Sequence, residues 1–426
     1  MTAARLLYNA LYPVALAGAR VSAWFLPKMR EVIAGRSGYR ERWRALGRSL
    51  DVQPVWFHVA SVGEFEQARP VISAIKRVHP SIPVMVTFSS PSGYHFAKRR
   101  EKSEGGLIDF IDYLPFDRAG TMRFCLDQAR PRLLVFVKFD LWPNLIWEAH
   151  DRHIAVALID ATLSPSSQRL SAVGRRFYAG VYRCIQPILA ISMEDAARFA
   201  QCVPGHDGIA VTGDTRFDRV MERWNARARD VLPLPDDGAL TLIAGSTWPP
   251  DEARLLPALA RLAREIGTLR AVLVPHEPHA EHVASLKRWA AGAGLSARTT
   301  REAGADPAAR VVIVDTVGVL AEAYAHAHVA FVGGAFSTGV HSVIEPAIAG
   351  LPVVFGPRHD NSFEAVQLIA HGAAQTVRDE EETYVALKRY LSDEAPRRAA
   401  GAAGHAYVES QLGATEKCMA ALGPYL

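Results

Sequence analysis

The chain has 426 residues, of which 49% are hydrophobic, 22% charged and 9% aromatic, and its formal net charge is +4. These values are typical of a globular protein and exclude a disordered, collagen-like or coiled-coil chain. A net charge this small does not indicate a nucleic-acid-binding protein. A chain of this length predicts two or three domains. The four cysteines form no CxxC pair and no zinc-like spacing, which favours a reducing compartment.

Positive charge is concentrated at the N-terminus. Residues 1–50 contain nine Lys or Arg against two acidic residues, and they include an uncharged, mostly apolar run from Leu6 to Ala19. Three interpretations are open for this run: a membrane-attaching helix, a buried core helix or a signal peptide. The basic flank favours a membrane-associating segment over residues 1–48, because anionic lipid attracts Lys and Arg side chains.

After this segment, short β-rich runs alternate with helical patterns such as Glu66–Val78 and Glu194–Cys202. Branched apolar runs with little polar alternation predict strands that are covered on both faces. These strands are Val55–Val59, Val84–Phe88, Leu133–Val137, Ile154–Ile159, Ile188–Ile191, Ile209–Thr212, Leu240–Ala244, Ala271–Val274, Val311–Val314, Val329–Val332 and Val353–Phe355. The alternation predicts an α/β fold with two Rossmann-like, doubly wound domains facing a cleft. We place the domains at residues 49–220 and 240–426, joined by a charged, proline-rich linker over 221–239.

Residues able to do chemistry follow two strands of the first domain, at the end of such sheets where ligands bind. Ser61, Gly63 and Glu64 come directly after the first strand. Glu64 can cap its own helix or act as a base towards a bound hydroxyl, and both roles are open at this point. Ser89 and Gly93 follow the second strand, either as an anion-binding turn or as an ordinary helix cap.

Three further groups of residues lie at strand ends. Lys138 and Asp140 alternate after a buried strand, so we expect them to point the same way, either as a surface ion pair or, more in keeping with the strand's burial, into a cleft. Ser246 and Thr247 open the second domain before a helix start, a pattern typical of an anion pocket. His276 ends the next strand, either as a structural histidine or as a phosphate or base contact.

The most specific group follows two later strands of the second domain. Gly334, His341 and Glu345 come after one strand, and Asn361 and Glu364 after the next. Glycines let backbone amides approach a phosphate, and a carboxylate one turn into the helix can hold nucleotide sugar hydroxyls. Packing alone does not require so many Gly, His and Glu residues at strand ends.

Together these residues resemble the 3-deoxy-D-manno-octulosonic acid (Kdo) transferases, which are two-Rossmann-domain (GT-B type) glycosyltransferases. The resemblance covers nearly the whole chain and depends on the order and spacing of its motifs. The motifs are the apolar N-terminus, Gly38–Trp43, Ser61–Glu64, Leu141–Asn144, Gly213–Asp218, Val314–Gly318 and the block of His341, Glu345, Asn361 and Glu364.

The resemblance implies an inverting enzyme that moves Kdo from CMP-Kdo to a lipid A precursor (lipid IVA) in lipopolysaccharide synthesis, at the cytoplasmic face of the inner membrane. It implies Glu64 as the general base. It implies a CMP pocket formed by Ser246, Thr247, His276, Gly318, Glu345, Asn361 and Glu364. We expect no cofactor and no metal, since the sequence has no clustered ligand set and a single leaving phosphate can be held by helix N-termini and polar groups.

Two other functions remain open. One is a UDP-sugar-dependent transferase or a UDP-N-acetylglucosamine 2-epimerase-like enzyme of the same fold. The Gly213-Asp214-Thr215 turn resembles a turn of the epimerases. Preference for CMP or UDP separates it from a Kdo transferase. The other is a membrane-attached protein that binds a sugar nucleotide without turnover. Loss of turnover with retained binding in Glu64→Ala would exclude it.

Overall fold

Both predicted runs of alternating strands and helices fold into parallel sheets. The computed structural model describes residues 3–227, 232, 234–235, 237–302, 306 and 308–426. Within these residues the chain divides into two compact units, each with one seven-stranded parallel sheet. The first unit comprises Met1–Arg219 and Leu412–Leu426, and the second comprises Val220–Gln411. This confirms the predicted α/β class with two doubly wound sheets.

In the first unit the strand order is β3-β2-β1-β4-β5-β6-β7. The strands are β1 (Val55–Val59), β2 (Val84–Phe88), β3 (Phe110–Tyr113), β4 (Leu133–Val137), β5 (Ala155–Ala161), β6 (Ile188–Ala190) and β7 (Ile209–Val211). The helices are α1 (Ala3–Ser22), α2 (Pro27–Gly35), α3 (Tyr39–Ser49), α4 (Val62–Val78), α5 (Pro91–Glu104), α6 (Ala119–Ala129), α7 (Pro143–His150), α8 (Ala172–Tyr182), α9 (Met193–Cys202) and α10 (Thr215–Asn225), in which the division between the units falls.

In the second unit the strand order is β10-β11-β9-β8-β12-β13-β14. The strands are β8 (Leu240–Thr247), β9 (Leu269–Pro275), β10 (Ala297–Thr299), β11 (Val311–Ile313), β12 (Val329–Val332), β13 (Val353–Phe355) and β14 (Ala374–Thr376). The helices are α11 (Pro249–Glu265), α12 (Ala280–Gly292), α13 (Leu320–Ala323), α14 (Ile344–Ile348), α15 (Phe363–Ala370), α16 (Glu380–Ser392) and α17 (Glu394–Ser410). The last helix of the chain, α18 (Ala414–Leu422), belongs to the first unit.

The second half of the predicted N-terminal segment is part of the first unit's core. Trp43 of α3 is fully buried, and its ring centroid lies 5.0 Å from that of Trp56 on β1. Arg42 donates to the buried Asp112 at 2.8 Å. Burying a large aromatic side chain stabilises a fold by about 1.5–3 kcal/mol. The sequence predicted residues 1–48 as a segment separate from the first domain. In the structure, the described residues of this stretch belong to the first unit.

The chain ends in the first unit and not in the second, where the sequence had placed residues 240–426. Cys418 and Leu422 of α18 are fully buried in the first unit's core. Asp218 fixes the start of α18 by accepting hydrogen bonds from the amides of Gly413 and Thr415, at 2.8 and 2.6 Å. Apolar burial and these hydrogen bonds explain why the last residues return.

The predicted linker over 221–239 is partly helical. Its first residues continue α10 to Asn225, and residues 228–231, 233 and 236 lie outside the described residues. Leu232 is buried in the same apolar cluster as Ile243 and Val272. The described part of this stretch therefore includes a residue of the second unit's core.

Helix α1 has one docked and one exposed face. On the docked face, Arg5 binds Glu148 at 2.7 Å and Asp151 at 2.6 Å, and the Tyr8 hydroxyl donates to Asp117 at 2.9 Å. The exposed apolar surface comprises Leu6, Leu7, Leu11 and Val14 on α1, together with Val21, Trp24, Phe25 and Leu26 at its end. None of the helices in the described part of the chain has both the length and the apolar character of a membrane span. We refer to the exposed set as the apolar face of α1.

Candidate active site

The strand order of the first sheet reverses between β1 and β4, which are neighbours although two strands separate them in sequence. In open parallel sheets, ligands bind in the crevice outside the carboxyl ends of the strands at such a reversal. Ser61, Gly63 and Glu64 follow β1, and Lys138 and Asp140 follow β4. The fold therefore brings these five predicted residues to one edge of the first sheet.

Glu64 lies in the first turn of α4 and is 4% exposed. The helix begins after Ser61, whose hydroxyl accepts the Glu64 amide at 3.4 Å, and the Glu64 carboxylate accepts the Ala60 amide. Burial raises the pKa of Glu64 to about 7; the Ala60 hydrogen bond and Lys138 oppose this shift, and Asp140 adds to it. Glu64 therefore accepts a hydrogen bond at the start of its own helix, and its pKa lies near neutral pH.

Gly63, one residue before Glu64, is exposed. A Cβ atom built on Gly63 would find only the Ser61 hydroxyl within 4 Å, at 3.9 Å. The start of α4 is therefore uncrowded on this side, and a bound group can approach the backbone beside Glu64.

A buried polar network surrounds Asp140. The fully buried His58 lies between the Thr87 and Ser89 hydroxyls, with its ring nitrogens 3.0 and 3.2 Å from them. Asp140 accepts from Ser89 at 2.7 Å and from the Trp142 indole at 3.1 Å, and lies 3.4 Å from His58 Nε2. Burial alone would raise the pKa of Asp140, but the His58, Ser89 and Trp142 contacts lower it to about 2. These contacts therefore favour the charged form of Asp140, which in turn raises the pKa of Glu64.

The predicted strand alternation of Lys138 and Asp140 is wrong. The strand β4 ends at Val137, and Lys138 has a φ of 67°, in the left-handed region where the alternation of side chains does not hold. The Lys138 ammonium lies 5.6 Å from the centroid of the exposed Phe139 ring. Lys138 and Asp140 still both act on the pKa of Glu64, with opposite signs.

The turn after β2 divides between two roles. Ser90 caps α5 by accepting the Gly93 amide at 3.2 Å, and a Cβ on Gly93 would lie 2.8 Å from the Phe88 ring. Gly93 therefore belongs to an ordinary helix start, with its amide capped by Ser90. Ser89 instead belongs to the network of His58.

In the second sheet the order reverses between β8 and β12. The backbones after these strands pack so closely that a Cβ on Gly333 would lie 2.3 Å from the Ser246 carbonyl oxygen. Gly334 has a φ of 90°, and its Cβ would lie 2.4 Å from the Gly339 carbonyl oxygen and 3.0 Å from His341 Nε2. Only glycine fits these positions without displacing the neighbours. We call residues 333–341 the glycine turn.

Asp251, in the first turn of α11, holds the glycine turn in place. It is fully buried and accepts the amides of Trp248, Gly334 and Phe336 at 2.9, 2.8 and 3.2 Å. A carboxylate that accepts several backbone N–H groups is a strong, charge-assisted anchor. The glycine turn is therefore fixed to the start of α11.

A cavity of about 190 Å³ lies beside this turn. Three residues of the predicted CMP pocket line it: Ser246, Gly318 and Glu345. Arg223 and Tyr324 line it as well and were not predicted. The described residues contain no group of three or more His, Cys, Asp or Glu side chains arranged to hold a metal ion.

Two other residues of the predicted CMP pocket, Thr247 and Glu364, form contacts with neighbouring side chains. Thr247 is 1% exposed and donates to Glu252 at 2.8 Å, and Glu252 also pairs with His282 at 2.8 Å. Glu364 is 4% exposed and accepts the hydroxyl of Ser362, the cap of α15, at 2.7 Å. These side chains support the loops after β8 and β13.

Asn361, His276 and His341, which were also predicted to bind the nucleotide sugar, lie at or next to the glycine turn. Asn361 donates to the Val340 carbonyl at 3.1 Å. The His276 ring stacks against two others: its centroid lies 4.6 Å from that of Trp248 and 4.5 Å from that of His341. The Trp248 indole donates to His341 Nε2 at 3.1 Å. His276 and His341 thus form one ring stack at the carboxyl ends of β8 and β9.

Comparison with known proteins is decisive for the family. A family described as "3-Deoxy-D-manno-octulosonic-acid transferase (kdotransferase)" matches residues 33–219. A 3-deoxy-D-manno-octulosonic acid transferase of Bordetella pertussis is 31% identical over 392 residues, covering 88% of this chain and 87% of the relative. Another, of Chlamydophila psittaci, is 30% identical over 353 residues, covering 81% and 78%. The chain belongs to the 3-deoxy-D-manno-octulosonic acid transferase family.

Solved structures of other proteins share the fold of this Kdo transferase family member. UDP-GlcNAc 2-epimerase from Neisseria meningitidis, bound to UDP-GlcNAc, has a TM-score of 0.62 at 13% identity, covering 87% of this chain and all of that one. MurG from Acinetobacter baumannii has a TM-score of 0.56 at 14% identity, covering 87% and 99%. At identities this low, the similarity concerns the fold alone. The shared fold confirms the predicted GT-B type.

Besides the cavity residues Arg223 and Tyr324, sequence reasoning on this family member did not assign a role to four residues of its candidate sites: His58, Trp142, Trp248 and Asp251. His58 had a usable signal, because an imidazole inside the otherwise apolar strand Val55–Val59 needs buried partners. Trp248 acts on a side chain distant in sequence and Asp251 on backbone amides, for which a single sequence carries no pattern. Trp142 donates to Asp140, only two residues before it.

Proposed function

We propose that this glycosyltransferase moves Kdo from CMP-Kdo to a lipid A precursor such as lipid IVA, with inversion at the sugar carbon, in lipopolysaccharide synthesis. Membership of the Kdo transferase family supports the sugar that is transferred. The observation that carries the mechanism is Glu64, a carboxyl at the reversal point of the first sheet whose pKa burial raises to about 7. General bases work best when their pKa lies near the operating pH.

In the proposed reaction, an acceptor hydroxyl oxygen bonds to the anomeric carbon of Kdo while the bond from that carbon to the CMP phosphate breaks. Glu64 takes the hydroxyl proton, and CMP leaves with the bonding electron pair. Inversion needs one such base and stabilisation of the departing phosphate. One Glu64 oxygen already accepts the Ala60 amide, so we assign the proton to the other oxygen.

We assign the donor to the second unit. Ser246, Gly318 and Glu345 line a cavity that we propose takes the nucleoside, and the glycine turn beside it offers close backbone approach for the phosphate. His276 and His341 stand at the same strand ends and can donate to phosphate oxygens. The proposal includes neither a cofactor nor a metal.

We propose that the enzyme docks on the cytoplasmic face of the inner membrane through the apolar face of α1. Trp24 and Phe25 are 76% and 75% exposed, and Arg20 and Lys28 are exposed close by in the chain. Exposed apolar side chains flanked by basic ones favour an anionic lipid surface. Docking there would bring the enzyme to an acyl-chain-bearing acceptor.

The test is incubation of the full chain with CMP-Kdo and a tetra-acylated disaccharide bisphosphate, followed by mass spectrometry of the lipid. A product heavier by one or more Kdo residues is the expected result. Parallel incubation with UDP-GlcNAc tests epimerase activity, and calorimetry compares the binding of CMP and UDP. Absence of a Kdo-bearing product, or tighter binding of UDP than of CMP, would contradict the proposal.

A further inference from the structure

A cavity of about 290 Å³ lies in the first unit, lined by α1, α2 and the loop from β3 to α6. Its lining includes three arginines, Arg20, Arg36 and Arg118, and no Asp or Glu of the described residues. Leu16 and Arg20 belong to α1, so one wall of the cavity is part of the helix that carries the apolar face. We call this cavity the arginine pocket. Its charge favours an anionic occupant.

Arg36 is the buried cation of the arginine pocket. It is 5% exposed, and its Nε, Nη1 and Nη2 atoms donate to the carbonyl oxygens of Leu114, Val32 and Ser89 at 2.8, 2.8 and 3.0 Å. A guanidinium has five N–H groups, so one on each Nη remains for a further acceptor. Burial lowers the pKa of Arg36, but an arginine stays charged at neutral pH. Because its three acceptors are neutral, a bound anion would offset the cost of burying this charge.

The carboxylates nearest in the fold have partners of their own. Asp112 binds Arg42 at 2.8 Å, and Asp117 accepts two amides of α7 and the Tyr8 hydroxyl. Asp140 belongs to the buried network of the candidate active site. Asp112 and Asp140 therefore act on Arg36 only at a distance, and the positive charge of the pocket is not cancelled from within the first unit's described residues.

The arginine pocket is also built in advance. The guanidinium carbon of Arg36 lies 5.0 Å from the centroid of the Phe116 ring and 5.5 Å from that of Tyr113, so the side chain is held by rings as well as by carbonyls. Helix α6 begins after Arg118 with no side-chain cap, and Thr121 of its first turn lines the pocket. Guanidinium N–H groups and an uncapped helix N-terminus both bind phosphate oxygens.

The position of the pocket connects it to the candidate active site. Arg36 contacts the carbonyls of Ser89 and Leu114, which follow β2 and β3. These strands end at the same edge of the sheet as β1, which Glu64 follows, and β3 lies two strand spacings, about 10 Å, from β1. The Ser89 hydroxyl donates to Asp140. A molecule with a phosphate on one sugar and a hydroxyl on the same or the next sugar spans such a distance.

We propose that the arginine pocket binds a phosphate group of a lipid whose acyl chains lie against the apolar face of α1. Two lipids carry this chemistry: the acceptor of the proposed function, through one of its phosphates, and an anionic phospholipid of the bilayer. The inference rests on the docking part of the proposed function, because it places lipid at α1. It predicts that the phosphate group, and not only the acyl chains, determines lipid affinity.

The first experiment needs neither CMP-Kdo nor a membrane. Calorimetry measures the binding of dihexanoyl phosphatidic acid to the full chain, below the concentration at which this probe forms micelles. Dihexanoylglycerol, with the same acyl chains and no phosphate, is the comparison. We expect the phosphate-bearing probe to bind at least about tenfold more tightly. Equal affinities for the two probes would overturn the proposal.

Variants locate the phosphate in the pocket. Arg118→Gln removes an exposed cation, so the fold should persist while the affinity for the phosphate-bearing probe falls by about tenfold. Arg36→Lys keeps the buried charge but loses the planar fork, and should bind several-fold more weakly. Arg48→Gln, at an exposed position of α3 outside the pocket, is the matched control and should bind like the unaltered chain. An equal loss in Arg48→Gln, or no loss in Arg118→Gln, would overturn the proposal.

The second experiment distinguishes the two sources of phosphate. Co-sedimentation compares the unaltered chain, Arg118→Gln and Arg48→Gln on phosphatidylcholine vesicles that contain either the tetra-acylated disaccharide bisphosphate or phosphatidylglycerol. A loss in Arg118→Gln with the bisphosphate assigns the pocket to the acceptor, whose KM should then rise with little change in kcat. A loss only with phosphatidylglycerol assigns it to the bilayer, and a loss with neither lipid overturns the proposal. A chain that binds the short-chain probe but transfers no Kdo would refute the proposed transfer and leave the pocket standing.

Discussion

At the reversal of the first sheet, between β1 and β4, the candidate site is built from ionisable side chains: Glu64, His58 and Asp140. At the matching reversal of the second sheet, between β8 and β12, the strand ends carry glycines packed against backbone, fixed by the buried Asp251. The two sheets share parallel topology and differ in their loops. One frame can therefore support proton transfer at one edge and anion binding at another, because sites are built on the loops.

The two edges also differ in what they tolerate. Around Glu64 the backbone is uncrowded, since a Cβ on Gly63 would meet only the Ser61 hydroxyl within 4 Å. In the glycine turn a Cβ on Gly333 or Gly334 would lie within 2.4 Å of a carbonyl oxygen. Substitutions at the first edge should therefore change chemistry, and those at the second should change shape and stability.

The largest effect on stability is expected from Asp251→Ala. This change leaves the amides of Trp248, Gly334 and Phe336 without their buried acceptor, and we expect the free energy of unfolding to fall by about 3 kcal/mol or more. Denaturant unfolding measures it. Asp379→Ala, which removes the exposed acid cap of α16, is the matched control and should cost about 1 kcal/mol. Equal losses in the two variants would argue against a special role for Asp251.

Gly334→Ala should weaken CMP binding by at least about tenfold, since it combines a left-handed backbone with contacts to Gly339 and His341. Calorimetry with CMP measures the loss. Gly372→Ala provides the control, because Gly372 also has a positive φ but no atom within 4 Å of its Cβ. The control should lose some stability and keep its affinity. Unchanged CMP affinity in Gly334→Ala would separate the glycine turn from the donor.

The apolar face of α1 belongs to the first unit alone and gives a further contrast. Replacing Trp24 and Phe25 with serine should reduce binding to vesicles of anionic phospholipid several-fold, because both rings are exposed and available to the lipid interface. Co-sedimentation with vesicles measures the loss. Val173→Ser, at an exposed apolar position of α8, is the control. If both variants bound vesicles as well as the unaltered chain, the docking proposal would be wrong.

The smallest expected effect is on the pH dependence of turnover. Because a base acts when deprotonated, Kdo transfer should rise with pH through about 7, the pKa to which burial raises Glu64. Lys138→Met should move this rise to higher pH, since the ammonium favours the carboxylate, and Asp140→Asn should move it to lower pH. The pH–rate profiles of the three proteins measure this. Shifts in the same direction would contradict the electrostatic account.

Much of the fold could be predicted because central parallel strands are apolar on both faces. The bounds of Val55–Val59, Leu133–Val137 and Val353–Phe355 agree with the structure. The missed strands β3, β10 and β14 all lie at the edges of their sheets, and they include polar residues such as Asp112 and Arg298. An edge strand pairs on one side only and needs no long apolar run.

The positions of the candidate site's residues were predictable where residue type and strand end coincide, as at Glu64 and Ser246. It was not predictable where the backbone or distant contacts decide. The left-handed φ of Lys138 cancels strand alternation, and the role of Asp251 depends on amides more than eighty residues away. The burial of Thr247 against Glu252 likewise follows from packing that no local pattern encodes.

The most direct test of the proposed chemistry is Glu64→Gln in the Kdo transfer assay. The glutamine oxygen can still accept the Ala60 amide, so the cap of α4 and the fold should persist while the base is lost. We predict that transfer falls by about 10²–10⁴-fold with CMP affinity unchanged, and that Glu66→Gln on the same helix remains active. Turnover retained by Glu64→Gln would contradict the account.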